Sequence, residues 1–274
     1  MLQSRAPQLH YDVHGTEGPH MLLIHGFMSS RSQWIPQLER WTPHFRIIVV
    51  ELFGHGRSPA LADSASYSPA SYSQELHILR QHLGIDKWLV LGQSMGAGIA
   101  FHYALRHQQD LFGLAFTNSH TAFALPEDIE SMTGDLSELA TSFEGPDGYL
   151  AVERSRLNPS KGNPKWLPEK IRAAFEKDVK LHSPQALAFA VKNTIPESSV
   201  RSLIGPNFTL PVLLVVGERE VSFGKAKEFA IGVIPNLTVV TTDAGHAVNI
   251  GAAEQFNTSV EHFFAKIIRA SKKL

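Results

Sequence analysis

The chain has 274 residues, 43% of them hydrophobic, with 25 Lys and Arg against 26 Asp and Glu and a formal net charge of -1. That balance leaves no footing for electrostatic capture of nucleic acid or an anionic membrane, and it suits one large α/β domain or a core with a smaller insert. The absence of cysteine excludes disulfides, thiolate metal sites and a cysteine nucleophile.

Leu9 to His14 alternates apolar and polar residues and reads as an edge strand, with its turn at Gly15 to Gly18. Met21 to Ile24, Arg46 to Val50, Lys87 to Leu91, Leu111 to Phe116, Val212 to Val216 and Leu237 to Val240 are short apolar runs of the kind that form buried parallel strands. Helical spacing is predicted over Tyr72 to Leu83, Ala97 to Arg106, Gly224 to Ile231 and Ala253 to Arg269. Alternating strands and helices predict a parallel sheet covered on both faces. The alternation breaks once, from about His120 to Gly205. There, helical patches at Pro126 to Thr141, Tyr149 to Leu157, Lys170 to Lys180 and Pro184 to Lys192 are separated by loops such as Asn158 to Pro164. The expected organisation is therefore a core of residues 1–119 and 206–274 with a helical cap at 120–205. Lys272 and Lys273 read as the solvated end of the last helix. No basic-then-apolar leader opens the chain, and no apolar run approaches the ~20 residues that span a bilayer, so a cytoplasmic protein is expected.

Gly92-Gln93-Ser94-Met95-Gly96 matches G-x-S-x-G and sits between a predicted strand and a predicted helix, the context this motif requires. The turn strains Ser94 and raises its hydroxyl above the sheet at a helix N-terminus, which favours negative charge. The competing reading is that Ser94 only caps that helix. His25-Gly26-Phe27-Met28 follows the strand ending at Ile24. It is expected to supply one oxyanion N–H from Phe27, with the second coming from Met95. Gly26 lets the backbone turn, and His25 is read as holding the loop. Phe27, Met28 and Gln93 are expected to line the substrate pocket.

Gly245-His246 follows the last predicted strand, and of the 14 histidines His246 is the one in the chain order Ser, acid, His. The acid belongs on the loop after Val216. Glu220 is the choice there, with Glu218 and Asp243 as alternatives. No H-E-x-x-H, P-loop or G-x-G-x-x-G after a strand is present, so neither metal nor organic cofactor is expected.

The motifs at 25–28, 51–58 (ELFGHGRS), 92–96, 215–220 (VVGERE) and 244–246 together resemble the α/β-hydrolase superfamily, over about 190 residues outside the insertion. The resemblance implies a mostly parallel eight-stranded sheet with a helical cap. It implies Ser94 as nucleophile, Glu220 as acid and His246 as base, with Phe27 and Met95 as oxyanion donors. Two positions depart from the family pattern: the acid is usually Asp, and so is the first residue of the loop that opens here with Glu51. His55 in that loop reads as packing. The expected activity is hydrolysis of carboxylic esters of small, fairly apolar substrates by a monomer or homodimer. Carbon–carbon bond hydrolysis next to a ketone is the alternative, with Arg154, Arg156 and Asn118 available to hold a carboxylate; a small-molecule receptor on the same fold is a further one. Phe123, Leu125, Phe143 and Phe189 are candidates for an apolar pocket or for cap core.

Overall fold

In the computed structural model, residues 5–163 and 165–271 are described, so the pair Lys272 and Lys273 lies outside. The apolar runs become β1 (Tyr11–His14), β2 (His20–Ile24), β3 (Arg46–Val50), β4 (Trp88–Gly92), β5 (Leu111–Thr117), β6 (Val212–Gly217) and β7 (Leu237–Thr242). They form one sheet in the order β1-β3-β2-β4-β5-β6-β7. β1 runs antiparallel to β3 and every other pairing is parallel. Among the described residues the sheet has seven strands rather than the eight that the family resemblance implies. β1 also starts later than its alternation suggests, because the His10 N–H is taken by Ser58 Oγ at 2.8 Å.

Helices α1 (Ile35–Trp41), α2 (Pro69–His82) and α3 (Met95–His107) alternate with the early strands. The interval between β5 and β6 holds α4 (Pro126–Glu144), α5 (Gly148–Arg154), α6 (Glu169–Asp178) and α7 (Pro184–Phe189), and α8 (Gly224–Val233), α9 (Val248–Gly251) and α10 (Ala253–Ser271) complete the chain. Successive strand residues point to opposite faces, so each buried strand feeds two cores. Leu22, Val90 and Leu214 pack with Leu76 of α2, Ile99 of α3 and Ala226 of α8. On the other face Met21, Leu23, Leu89 and Leu213 pack with Trp41 of α1 and with Phe256, Val260 and Phe264 of α10. Each such side chain stabilises the fold by roughly 1.5–3 kcal/mol on full burial.

The sequence pattern does not mark α1, and a polar contact explains why. Its inward face includes Gln37, fully buried, whose Nε2 donates to Asn249 O at 2.7 Å and to Asn257 Oδ1 at 2.9 Å. A buried glutamine satisfied by hydrogen bonds reads as a surface residue when only hydropathy is followed.

The helical insertion has its own small core, in which Ala140 and Phe143 of α4, Val152 of α5 and Leu187 of α7 meet Met28. Its base is tied to the sheet by polar contacts as well. Ser30 Oγ and Ser32 Oγ donate to Asp178 Oδ2 at 2.6 and 2.5 Å, and Arg31 lies 3.6 Å from Asp178 Oδ1. Among the described residues, no helix is long and apolar enough to cross a membrane.

Candidate active site

The centre of the sheet ends in a sharp turn. β4 closes at Gly92 and α3 opens at Met95, which leaves Ser94 at φ 53 and ψ -121, a conformation that side-chain-bearing residues rarely adopt. A Cβ on Gly92 would lie 2.3 Å from Gly96 O, and one on Gly96 would lie 2.4 Å from Ile24 O, so the turn closes only with glycine at both positions. Ser94 makes no side-chain cap to α3. Its carbonyl is pinned by Ser119 Oγ at 2.7 Å.

Facing the turn is the loop after β2. A Cβ on Gly26 would sit 2.2 Å from Gln93 Oε1, so this loop approaches the elbow closely because Gly26 lacks one. Among the described residues, neither the Phe27 N–H nor the Met95 N–H meets an acceptor, whereas the neighbouring Ser29 and Gly96 N–H groups do.

Three buried histidines hold that loop. His25 Nε2 accepts from Leu52 N–H at 3.0 Å, and its Nδ1 donates to Gly26 O at 2.7 Å. His55 Nε2 accepts from Met28 N–H at 3.2 Å. His182, from the insertion, accepts from Gly56 N–H at 3.0 Å and donates to Met28 O at 3.0 Å. Each ring accepts one N–H, so each is neutral. Burial pushes His25 and His182 down to about 4, and pushes His55 well below the usual histidine range. His55 is therefore more than packing, since it fixes the backbone next to Phe27. Glu51 is buried and accepts from Arg57 N–H and Nε, both at 3.0 Å.

On the far side of the elbow, His246 Nδ1 lies 2.8 Å from Glu220 Oε1. The loops carrying the two run side by side, with Arg219 N–H on Ala244 O at 2.9 Å, and Gly217 permits this because a Cβ there would meet Gly245 O at 2.3 Å. Asp243 is engaged elsewhere: it is exposed and accepts from Arg219 Nε at 2.5 Å. Glu218 is exposed. Burial opposes the charge on Glu220, but hydrogen bonds from His246 and Asn118 outweigh it and hold the carboxyl below the usual range. The sequence suggested Asn118 as a carboxylate holder for substrate. It is committed instead: its Nδ2 donates to Glu220 Oε2 at 2.8 Å and to Gly217 O at 2.9 Å, while its Oδ1 accepts from Gly217 N–H at 3.0 Å. Nothing in the local sequence distinguishes this asparagine from a turn residue, because its role depends on Gly217 at the end of a strand 99 positions away.

Ser94, His246, Phe27 and Gln93 line one cavity of about 420 Å³. No hydrogen bond joins Ser94 to His246 here, and such contacts commonly tighten only once substrate is bound. Met28, expected in the pocket wall, does not line the cavity; its fully buried side chain belongs to the core of the insertion. Its φ of 55 turns the chain there, with the N–H and C=O held by His55 and His182. Phe123, Leu125, Phe143 and Phe189 also stay out of the cavity. Its apolar wall comes from Leu157, Trp166, Leu167, Phe175 and Ile250.

The family described as alpha/beta hydrolase fold matches residues 19–253. The chain belongs to that family. It is 27% identical, over 94% of its length and 98% of the relative's, to a pimeloyl-[acyl-carrier protein] methyl ester esterase of Vibrio vulnificus. It is 22% identical, over 96% of its length and 85% of the relative's, to an uncharacterized carboxylesterase of Bacillus subtilis. Among solved structures, a thermophilic esterase from Thermogutta terrifontis superposes with a TM-score of 0.76 at 25% identity, over 94% of this chain and 93% of that one. These relatives are esterases by name, and the chain is an enzyme of the hydrolase class.

Two replacements separate the carboxylates. Glu220→Gln is expected to lower kcat by about 100-fold or more, because an amide can no longer stabilise the imidazolium, while Asp243→Asn leaves kcat within about twofold since its partner is an exposed arginine. Steady-state rates on one ester decide this, and the reverse ranking would move the acid to Asp243. Asn118→Ala is expected to lower kcat by roughly tenfold with little change in KM, because Glu220 loses the donor that fixes its second oxygen. A change confined to KM would count against that role.

Proposed function

We propose that the protein cleaves carboxylic esters of small, fairly apolar substrates through an acyl-enzyme on Ser94. The observation that carries this reading is the convergence on one cavity of a strained serine, the loop residue Phe27 and a histidine bonded to a carboxylate, with the N–H groups of Phe27 and of Met95, the residue after the serine, meeting no acceptor among the described residues. His246 Nε2 takes the proton of Ser94 as Oγ attacks the ester carbonyl. The oxygen that gains charge is received by the N–H groups of Phe27 and Met95, each worth on the order of 3 kcal/mol in such a role. The carbon–oxygen bond breaks and the alcohol departs with the proton from His246. Water then repeats the sequence on the acyl-enzyme, freeing the acid and restoring Ser94. Glu220 stays ionised and holds the imidazole in the tautomer that leaves Nε2 free to accept. The predominantly apolar walls suit aliphatic or aromatic substituents. The esterases among the relatives support the reaction class.

Steady-state hydrolysis of a chain-length series of p-nitrophenyl esters, run beside Ser94→Ala, tests this. Turnover that disappears in the variant is the expected result. A folded wild type with no turnover, but with ligand-dependent partner binding, would favour a receptor. The carbon–carbon hydrolase reading loses one of its supports, because the Asn118 amide is already engaged.

A further inference from the structure

The wall of the Ser94 cavity contains two polar atoms that ester cleavage does not use. Ser29 and Gln33 both line the cavity and are 5% and 3% exposed. Neither Ser29 Oγ nor Gln33 Nε2 has a hydrogen-bond partner among the described residues. A buried polar group left unpaired costs roughly 1–3 kcal/mol, so two of them in the wall of a substrate cavity mark a place where a ligand atom restores the bonds.

The chemistry of that ligand follows from the donors. The Gln33 amide is oriented by its Oε1, which accepts from Gly26 N–H at 3.2 Å, and the backbone of Gln33 is held by Asn249 Nδ2, which donates to its carbonyl at 2.9 Å. Nε2 is therefore left as a pure donor, and the Ser29 hydroxyl in the wall of the same cavity can donate too. Two donors ask for an oxygen-rich acceptor. The local charge selects among acceptors: among the described residues, the ionisable side chains lining the cavity besides His246 are Arg156 and Lys161, and no Asp or Glu lines it. Arg156 also borders a separate depression with Asp135 and Glu138, and no ion pair joins it to either among the described residues. An apolar stretch formed by Leu167, Phe175 and Ile250 completes the wall and suits a methylene chain.

We propose that Ser29 and Gln33 form a carboxylate-binding subsite, so that the preferred substrates are esters carrying a second, free carboxylate, such as half-esters of dicarboxylic acids. This rests on the ester-hydrolase reading for its reaction but not for its binding chemistry.

The test compares monomethyl glutarate and monomethyl adipate with the neutral esters methyl valerate and methyl hexanoate. Wild-type kcat/KM is expected to favour the half-esters by about tenfold or more. Gln33→Glu retains an oxygen for the Gly26 N–H and exchanges the donor for a like charge, so the preference should fall by at least ~30-fold. Ser29→Ala should reduce it by ~3–10-fold, and it keeps the question decidable if Gln33→Glu does not fold. A merely structural role for either residue would depress both ester types equally and leave the ratio unchanged. In parallel, calorimetry measures binding of the same four esters to Ser94→Ala. Selective binding of half-esters without wild-type turnover would support the subsite and overturn the hydrolase reading. Turnover of both ester types with no preference, or an unchanged ratio in both variants, would overturn the subsite and leave the hydrolase reading standing.

Discussion

Ser94→Ala will lower kcat/KM on an ester by about 10⁴-fold or more, His246→Ala will do nearly as much, and the double variant will lose little beyond either single one. A loss of that size is about 5 kcal/mol of transition-state stabilisation. The effects do not add, because serine and histidine perform one act: the hydroxyl is a useful nucleophile only while its proton has somewhere to go. In the proposed mechanism the Phe27 and Met95 N–H groups and the cavity itself keep their contribution in all three variants, because no side-chain replacement at 94 or 246 removes them. Kinetics of the two single variants and the double variant, at a fixed ester concentration below KM, decide the matter. Losses that multiplied in the double variant would show that Ser94 and His246 act independently and would dismantle the mechanism.

Folding stability will fall steeply as pH drops from about 6.5 toward 4. His25, His55 and His182 form a buried row with ring centroids 5.1 and 5.3 Å apart, and each accepts a backbone N–H that a protonated ring could not. Burial lowers all three. The neighbouring rings further depress His25 and His55, while Asp178 only partly offsets burial at His25 and His182. In the unfolded chain the same rings titrate near 6.5. Between 6.5 and 4 the unfolded state therefore binds more protons than the folded one. The stability contributed by these rings is complete above the unfolded value and drains away as pH falls toward the folded value. A fall from 6.5 to about 4 corresponds to roughly 3 kcal/mol for each of His25 and His182, less than additive because they interact. His102, lowered to about 4 by burial and by Arg106, acts in the same direction. Denaturant midpoints at pH 7.5, 6 and 5 check this, and a flat profile would mean that the rings are not neutral in the fold.

The strand–turn–helix at Ser94, the order of the motifs and all seven strands were legible because each is local: an apolar run, a glycine that a turn requires, a histidine one residue after a glycine. Glu220, whose carboxylate lies 2.8 Å from His246 Nδ1, stands on the loop after the clearest apolar run. What escaped depends on partners remote in sequence. Asn118 becomes a support for Glu220 only when β5 and β6 pair. Met28, beside a catalytic loop, faces the insertion because a positive φ reverses the chain, and no periodicity signals that. Phe123, Leu125, Phe143 and Phe189 read as candidates for an apolar pocket or for cap core, and none of them lines the cavity. Phe123 and Phe143 close the cores they sit in, and residues 158–163, which read only as a separator between helices, line much of the cavity together with Trp166 and Leu167.

Met28 joins two parts of the molecule that are usually thought of as interchangeable modules. Its backbone is gripped through His55 and His182, and its side chain plugs a socket made by α4, α5 and α7. An engineer who replaced residues 120–205 with the corresponding stretch of a relative would therefore be exchanging more than a substrate roof. Unless the graft brings a matching socket, a histidine at the position of His182 and an acceptor for Ser30 and Ser32, the chimera would retain its sheet yet lose the alignment of the Phe27 N–H. In this chain, altering selectivity by swapping roofs and preserving catalytic power are coupled design problems, and the coupling passes through Met28, His182 and Asp178 together.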